Sequence, residues 1–214
     1  QEKLEQEKRN PLLKTSMFSI PTLRSGLGVL MFQYVVTASV FFVIPVYLQM
    51  TLGLDALQTG LKILPLSVAV VLFSVLGARL AASWGPKRVV IAGQGPLILG
   101  AFLLLGSVSI DLKSKLFLLG MFVLGSGLGL LASQLGNVNM SAVSEKQSSE
   151  VGGLQGVFPN RGSSLGTAII GSVMITSLTT AFVGNVSSSN LDSQIKDYIS
   201  QNSQAGVAIA PVSE

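Results

Sequence analysis

The chain has 214 residues, 49% hydrophobic and only 11% charged, and its mean hydropathy of +0.62 lies far above that of a water-soluble globular domain. A net charge of +4 spread along the chain makes no phosphate-tracking stripe, which excludes nucleic-acid binding, and so apolar a composition excludes disorder. With no His and no Cys, zinc sites on either ligand, Ser-His and Cys-His dyads, thiol redox chemistry, haem attachment and disulfides are excluded, so no metal and no cofactor is expected.

Charge is clumped, and the intervals between clumps are the elements. Residues 1–23 form a charged lead-in, expected in the cytoplasm, whose start QEKLEQEKRN has no apolar core before a cleavage site. Because it opens on Gln1, the chain is expected to be a piece of a longer one. Residues 24–183 predict a bundle of membrane-spanning helices. A hydrocarbon layer about 30 Å thick takes roughly 20 apolar residues rising 1.5 Å each. Five stretches satisfy that length: about 27–50, 61–83, 89–109, 116–140 and 151–183. The fifth is interrupted by Pro159, Asn160 and Arg161; it reads as one long helix bent at the proline, the alternative being a re-entrant segment followed by a short span. Continuous apolar runs do not alternate with period two, so a strand barrel is excluded and helices are the remaining solution.

Direction follows from the basic residues. With Gln1 inside, the inner side holds Lys3, Lys8, Arg9, Lys14, Arg24, Arg79, Lys87, Arg88 and Lys146, and the outer side Lys62, Lys113, Lys115 and Lys196. The inner loops are then SWGPKR and SAVSEKQSSE, and the outer loops TLGLDALQTG and DLKSK. Residues 184–214 form a polar extracytoplasmic tail, in which Leu191, Ile195, Tyr198 and Ile199 at helical spacing predict a short surface helix.

Every acidic residue lies outside the spans: Glu2, Glu5, Glu7, Asp55, Asp111, Glu145, Glu150, Asp192, Asp197 and Glu214. Proton relays and cation sites within membranes are built on buried carboxylates or His, so a coupling carboxylate would have to belong to other residues than these. No phosphate loop of the Gly-x-x-x-x-Gly-Lys-Ser/Thr type occurs. Gly125/Gly129, Gly152/Gly156 and Gly162/Gly166 have the Gly-x-x-x-Gly spacing that lets helix backbones approach, with hinge flexing at Gly95, Pro96 and Gly127 as the functional remainder.

Polar side chains inside the spans carry more information. The first span holds Gln33, Thr37 and Gln49, the third Gln94, the fourth Gln134, Asn137 and Asn139, and the fifth Asn160 and Arg161. Gln33, Gln94, Gln134, Asn137, Asn160 and Arg161 all fall in the inner third of the membrane, and a cavity open to the cytoplasm would gather them. Hydrogen bonding between helices would explain the same amides. A guanidinium at the helix centre costs roughly 2.5–3.5 kcal/mol on insertion scales. Arg161 is therefore expected either to face the cavity and cap carbonyls at the inner ends of the first and fourth spans, or to anchor at the headgroups if its span begins later.

The order of these features is itself a pattern. PVYLQMTLGLDALQTGLKILP, with Tyr47, Leu48, Gln49, Gly53, Gly60, Leu61, Leu64 and Pro65, resembles the fourteen-span drug:proton antiporter branch of the major facilitator superfamily. GARLAASWGPKR is similar to the superfamily's inner-loop motif through Gly77, Leu80, Gly85, Lys87 and Arg88, while Ala82 and Ser83 stand where the motif has Asp and Arg. Gly152, Gly153, Asn160, Arg161, Leu165, Gly166 and Gly171 resemble the Gly...Asn-x-x-Arg-x-x-Gly...Gly series of the penultimate helix. The resemblance implies that the five spans are helices nine to thirteen, most of a C-terminal half-bundle in an all-α membrane protein. It implies a secondary transporter, not an enzyme, exchanging a lipophilic or cationic small molecule for protons. Its partners would be the lipid bilayer, an N-terminal half that supplies the coupling carboxylates, and a final helix, in a bacterial inner membrane. The cavity would lie mainly between the first, second, fourth and fifth spans, with substrate held by Tyr34, Phe41 and Phe42 and oriented by Gln33 or Gln134; Thr37, Asn137, Asn160 and Arg161 complete the candidate set. A non-transporting membrane scaffold, and the permease subunit of an ATP-driven transporter, are the competing readings.

Overall fold

The computed structural model describes residues 15–107 and 114–188. Five helices long and apolar enough to cross a membrane make up almost all of it. After a 3₁₀ turn at Thr15–Ser19, α1 runs Pro21–Val46 and passes into a π-helical turn at Tyr47–Thr51. Pro21 opens α1, where its missing N–H is one of the unsatisfied donors of any helix start. Pro45 near the other end has no N–H to give to Phe41, and the wider turn follows at once.

Helix α2, Ala56–Trp84, begins at a capping box: the Gln58 N–H donates to Asp55 Oδ1 at 2.7 Å, and the Asp55 N–H donates to Gln58 Oε1 at 3.3 Å. It stops at Gly85, whose φ of +82° suits glycine and whose N–H returns to the Ala81 carbonyl at 3.0 Å. Pro86 then starts α3, Pro86–Ser107. Helix α4 is Ser114–Ser141, and α5 is a single helix, Ser148–Ser188, running uninterrupted through Pro159. The re-entrant alternative for the fifth span is thereby overturned.

The first helix starts six residues before the apolar run that foretells it, and the last extends past its run at both ends. An apolar count registers only a run of hydrocarbon length, whereas the helices continue past it through polar residues such as Arg24 and Glu150. The lead-in up to residue 14, the outer loop at 108–113, and the surface helix expected around Leu191, Ile195, Tyr198 and Ile199 lie outside the described residues.

Helix α4 is the axis of the packing. Of its most apolar window 61% is buried, against 33% for α3 and 17% for α1 and α2. Its Gly-x-Gly-x-Gly run explains this, since residues two apart on a helix point to nearly opposite sides. A Cβ on Gly127 would stand 2.6 Å from the Leu97 nitrogen and 2.7 Å from the Gly93 carbonyl of α3. A Cβ on Gly129 would stand 2.6 Å from the Val70 carbonyl of α2, and Gly125 meets the Leu66 carbonyl there. On α5, Gly162 and Gly166 lie against the Met31 and Val35 carbonyls of α1. These pairs support backbone approach as the use of small residues. Gly152 and Gly156 correct it in one case: nothing lies nearer than the Met140 methyl at 3.9 Å, so their spacing joins no helices among the described residues.

The chain divides into two compact units, Gln1–Gly166 and Thr167–Glu214. Within the first, one apolar cluster gathers Leu23, Leu27, Leu131, Leu135, Val138 and Val151 at the end bearing the α2–α3 and α4–α5 turns; a second gathers Ile44, Leu48, Leu66, Phe117 and Leu124 at the other. The described part of the second unit is the C-terminal end of α5, where Thr180 Oγ1 donates to the Thr176 carbonyl at 2.8 Å.

Candidate functional site

Between the two apolar clusters α1, α2 and α4 do not close. A cavity of about 350 Å³ is lined by Gln33, Tyr34, Thr37 and Phe41 of α1, by Leu66, Ser67, Val70 and Val71 of α2, and by Leu128 and Ala132 of α4. The α1 residues recur at spacings of one, three and four, which puts them along one face. The wall is almost entirely apolar. Thr37 Oγ1 donates to the Gln33 carbonyl at 2.8 Å, a bond to its own helix that leaves its methyl free to face the space. The Gln33 side chain is 7% exposed and its Oε1 has no hydrogen-bond partner. Such a chamber can hold an apolar or aromatic body by dispersion, with few polar groups to fix its orientation.

Eight of the nine candidates fall in three places, and Phe42 is not among the residues that line the cavity. Gln33, Tyr34, Thr37 and Phe41 share the cavity. Gln134 is buried in α4 and its Oε1 accepts from Asn137 Nδ2 at 3.0 Å, so those amides satisfy each other one turn apart. Asn160 and Arg161 line a separate crevice with Met31, Ser164 and Leu165. Asn160 Nδ2 donates to the Gly156 carbonyl at 2.9 Å, whereas no hydrogen bond or ion pair joins the exposed Arg161 to another described residue. Arg161 also lines a wider crevice beside Phe18, Glu150 and Phe158, which shares no lining residue with the chamber. In the penultimate-helix series the arginine stands three places after the asparagine, a position held here by Ser163.

Two polar residues that spacing leaves unassigned matter to the packing. Gln155 Nε2 donates to the Gly136 carbonyl at 3.1 Å and ties α5 to α4. Asn139 is completely buried, and neither amide atom has a partner. Its place two residues from Asn137, hence round the far side of α4, was the one signal of that.

The inner-loop residues are arranged around the α2–α3 turn. Gly77 packs on Ser133 and Leu130 of α4, Gly85 makes the left-handed turn, and Lys87 lines a cavity of about 330 Å³ with Thr22, Ser25 and Gln94. Leu80 is half-buried and its carbonyl accepts from Ser83 Oγ at 3.2 Å; Arg88 is exposed. Among the described residues no cluster of acids could hold a metal ion.

The family model described as Major Facilitator Superfamily matches residues 1–187. The chain belongs to the major facilitator superfamily. That makes it a multi-pass integral membrane protein of a transporter family. The multidrug resistance protein Stp of Mycobacterium tuberculosis is 28% identical over 171 residues, 80% of this chain and 32% of Stp. The drug efflux pump JefA of the same organism is 28% identical over 168 residues, 77% of this chain and 32% of JefA. The tetracenomycin C resistance and export protein of Streptomyces glaucescens is 26% identical over 184 residues, 85% of this chain and 34% of that protein. This major facilitator chain thus spans about a third of the length of these curated relatives. No solved structure matches it.

Proposed function

We propose that the chain is most of the C-terminal half of a fourteen-span drug:proton antiporter, and that it forms one wall of a chamber for lipophilic or cationic small molecules. The observation that carries this reading is the apolar cavity of about 350 Å³ between α1, α2 and α4, with Tyr34 and Phe41 as aromatic faces and Gln33 as the amide at its edge. An aromatic face attracts a cation and an apolar wall accepts many shapes, so loose specificity follows from the lining. The names of the relatives, a multidrug resistance protein and a drug efflux pump, agree with that chemistry.

Protons enter through the partner half. No acid of this chain falls within the five apolar runs of its sequence, so the titrating carboxylate is assigned to the N-terminal half, with a final helix completing the bundle in a bacterial inner membrane. The two halves then rock about the chamber. In cells expressing the intact transporter, Tyr34→Ala and Phe41→Ala should each lower efflux of a lipophilic cationic dye about tenfold, and a protonophore should abolish it. Efflux indifferent to both variants and to the protonophore would overturn the proposal.

A further inference from the structure

The inner end of α1 rests on α4 through one unusual contact. Gly26 faces Asn139, and the fit is so close that a Cβ on Gly26 would collide with Asn139 Oδ1 and lie 3.1 Å from its Cγ. Asn139 is 0% exposed, and both its Oδ1 and its Nδ2 lack partners. Leu27, Leu135 and Val138 wall in this end of the seam. An amide sealed among apolar side chains with neither atom satisfied disfavours the arrangement that seals it, because separation would return the amide to water or to another polar group.

Two neighbouring features give that penalty a direction. Beside the seam is the cavity of about 330 Å³ lined by Gly26, Val138, Gln94 and Lys87, so the inner end of α1 has room to move and a space with polar side chains lies next to Asn139's neighbours. Farther along, α1 is held firmly: Gly162 and Gly166 of α5 sit against its Met31 and Val35 carbonyls, and Ser39 Oγ donates to the Gly166 carbonyl at 3.3 Å. The helix therefore has a tight bearing near Met31–Ser39 and a weak contact at Gly26, one to two turns inward.

We infer that the Gly26–Asn139 contact is a built-in weak latch, and that α1 pivots on the α5 glycines so that its inner end parts from α4 and wets Asn139. This rests on the transporter reading for its purpose, opening the chamber to the cytoplasm, but not for its physics. Because the penalty applies only when the seam is shut, replacing Asn139 by an apolar residue should favour the shut state. A side chain at Gly26 should wedge it open.

The test uses the intact transporter in lipid, with spin labels at Arg24→Cys on α1 and Ser141→Cys on α4, read by double electron–electron resonance. Two distances are expected, and Asn139→Leu should lower the longer population about tenfold while raising the melting temperature. Gly26→Ala should raise that population, and Gly26→Ala with Asn139→Ala should return it towards the unsubstituted value. If Asn139→Leu does not fold, Asn139→Ala gives the same reading. A distance distribution that Asn139→Leu and Asn139→Ala leave unchanged, or a lowered melting temperature in both, overturns the latch. Shifted distances with no effect of Tyr34→Ala or of a protonophore on efflux would uphold the latch and sink the transport proposal alone.

Discussion

At the scale of single residues, glycine decides where helices meet. In water a helix reveals its buried face by an apolar stripe, but in lipid both faces are apolar and the stripe vanishes. The Gly125/Gly129 spacing was therefore legible as packing, while the contact of Gly127 with α3, and which helix each glycine faced, were not. Overpacking such a contact costs about 1–3 kcal/mol. Gly127→Val should accordingly lower thermal stability in detergent by an amount of that order, because its Cβ meets the backbone of α3. Gly95→Ala, with nothing within 4 Å, should leave the melting temperature unchanged. Equal effects of the two would contradict the packing role of the buried glycines. Polar residues were harder to read. Gln33 and Thr37 line the chamber, but Gln134 and Asn137 pair along their own helix, because residue type and depth do not tell which way around a helix a side chain points. Arg161 lines crevices apart from the chamber, and its long stem gives it a reach that spacing cannot register.

At the scale of elements, the structure shows what sets the bounds of α2: a capping box between Asp55 and Gln58 at its start and the positive-φ Gly85 before Pro86 at its end. Removing the cap by Asp55→Ala should cost about 1 kcal/mol of stability, measured by denaturation of the purified protein. No loss would mean that lipid, and not the capping box, fixes the start of α2. The α2–α3 turn carries a second expectation. Lys87 and Arg88 sit at the start of α3 on the predicted cytoplasmic side, and Ala82 and Ser83 provide no acid for them on this side. Lys87→Glu with Arg88→Glu should therefore reduce efflux severalfold without reducing the amount of inserted protein. Unchanged efflux would remove the turn from the gating machinery.

At the scale of the whole molecule, α1, α2 and α4 of the first unit leave a chamber between them, and much apolar surface remains uncovered: Leu57 is 73% exposed and Leu105 72%. Lipid accounts for such surface directly, and the proposed partner half would cover the part that bears Tyr34 and Phe41. The number of helices and their family were legible because hydrocarbon thickness fixes length and because the motifs keep their order. Which of them wall the chamber depends on rotations about each helix axis, and those are set by contacts between segments far apart in sequence. The reading of the function stands on that chamber being wet and reachable. This chain has no cysteine, so single substitutions in it report on the chamber through labelling of the intact transporter by a membrane-impermeant thiol reagent, with the unsubstituted transporter as the reference. Thr37→Cys and Ala132→Cys should react and be protected by a bound lipophilic cation, while Leu105→Cys on the outer face of α3 should not react. Labelling absent at Thr37→Cys and Ala132→Cys in every conformer would contradict the chamber.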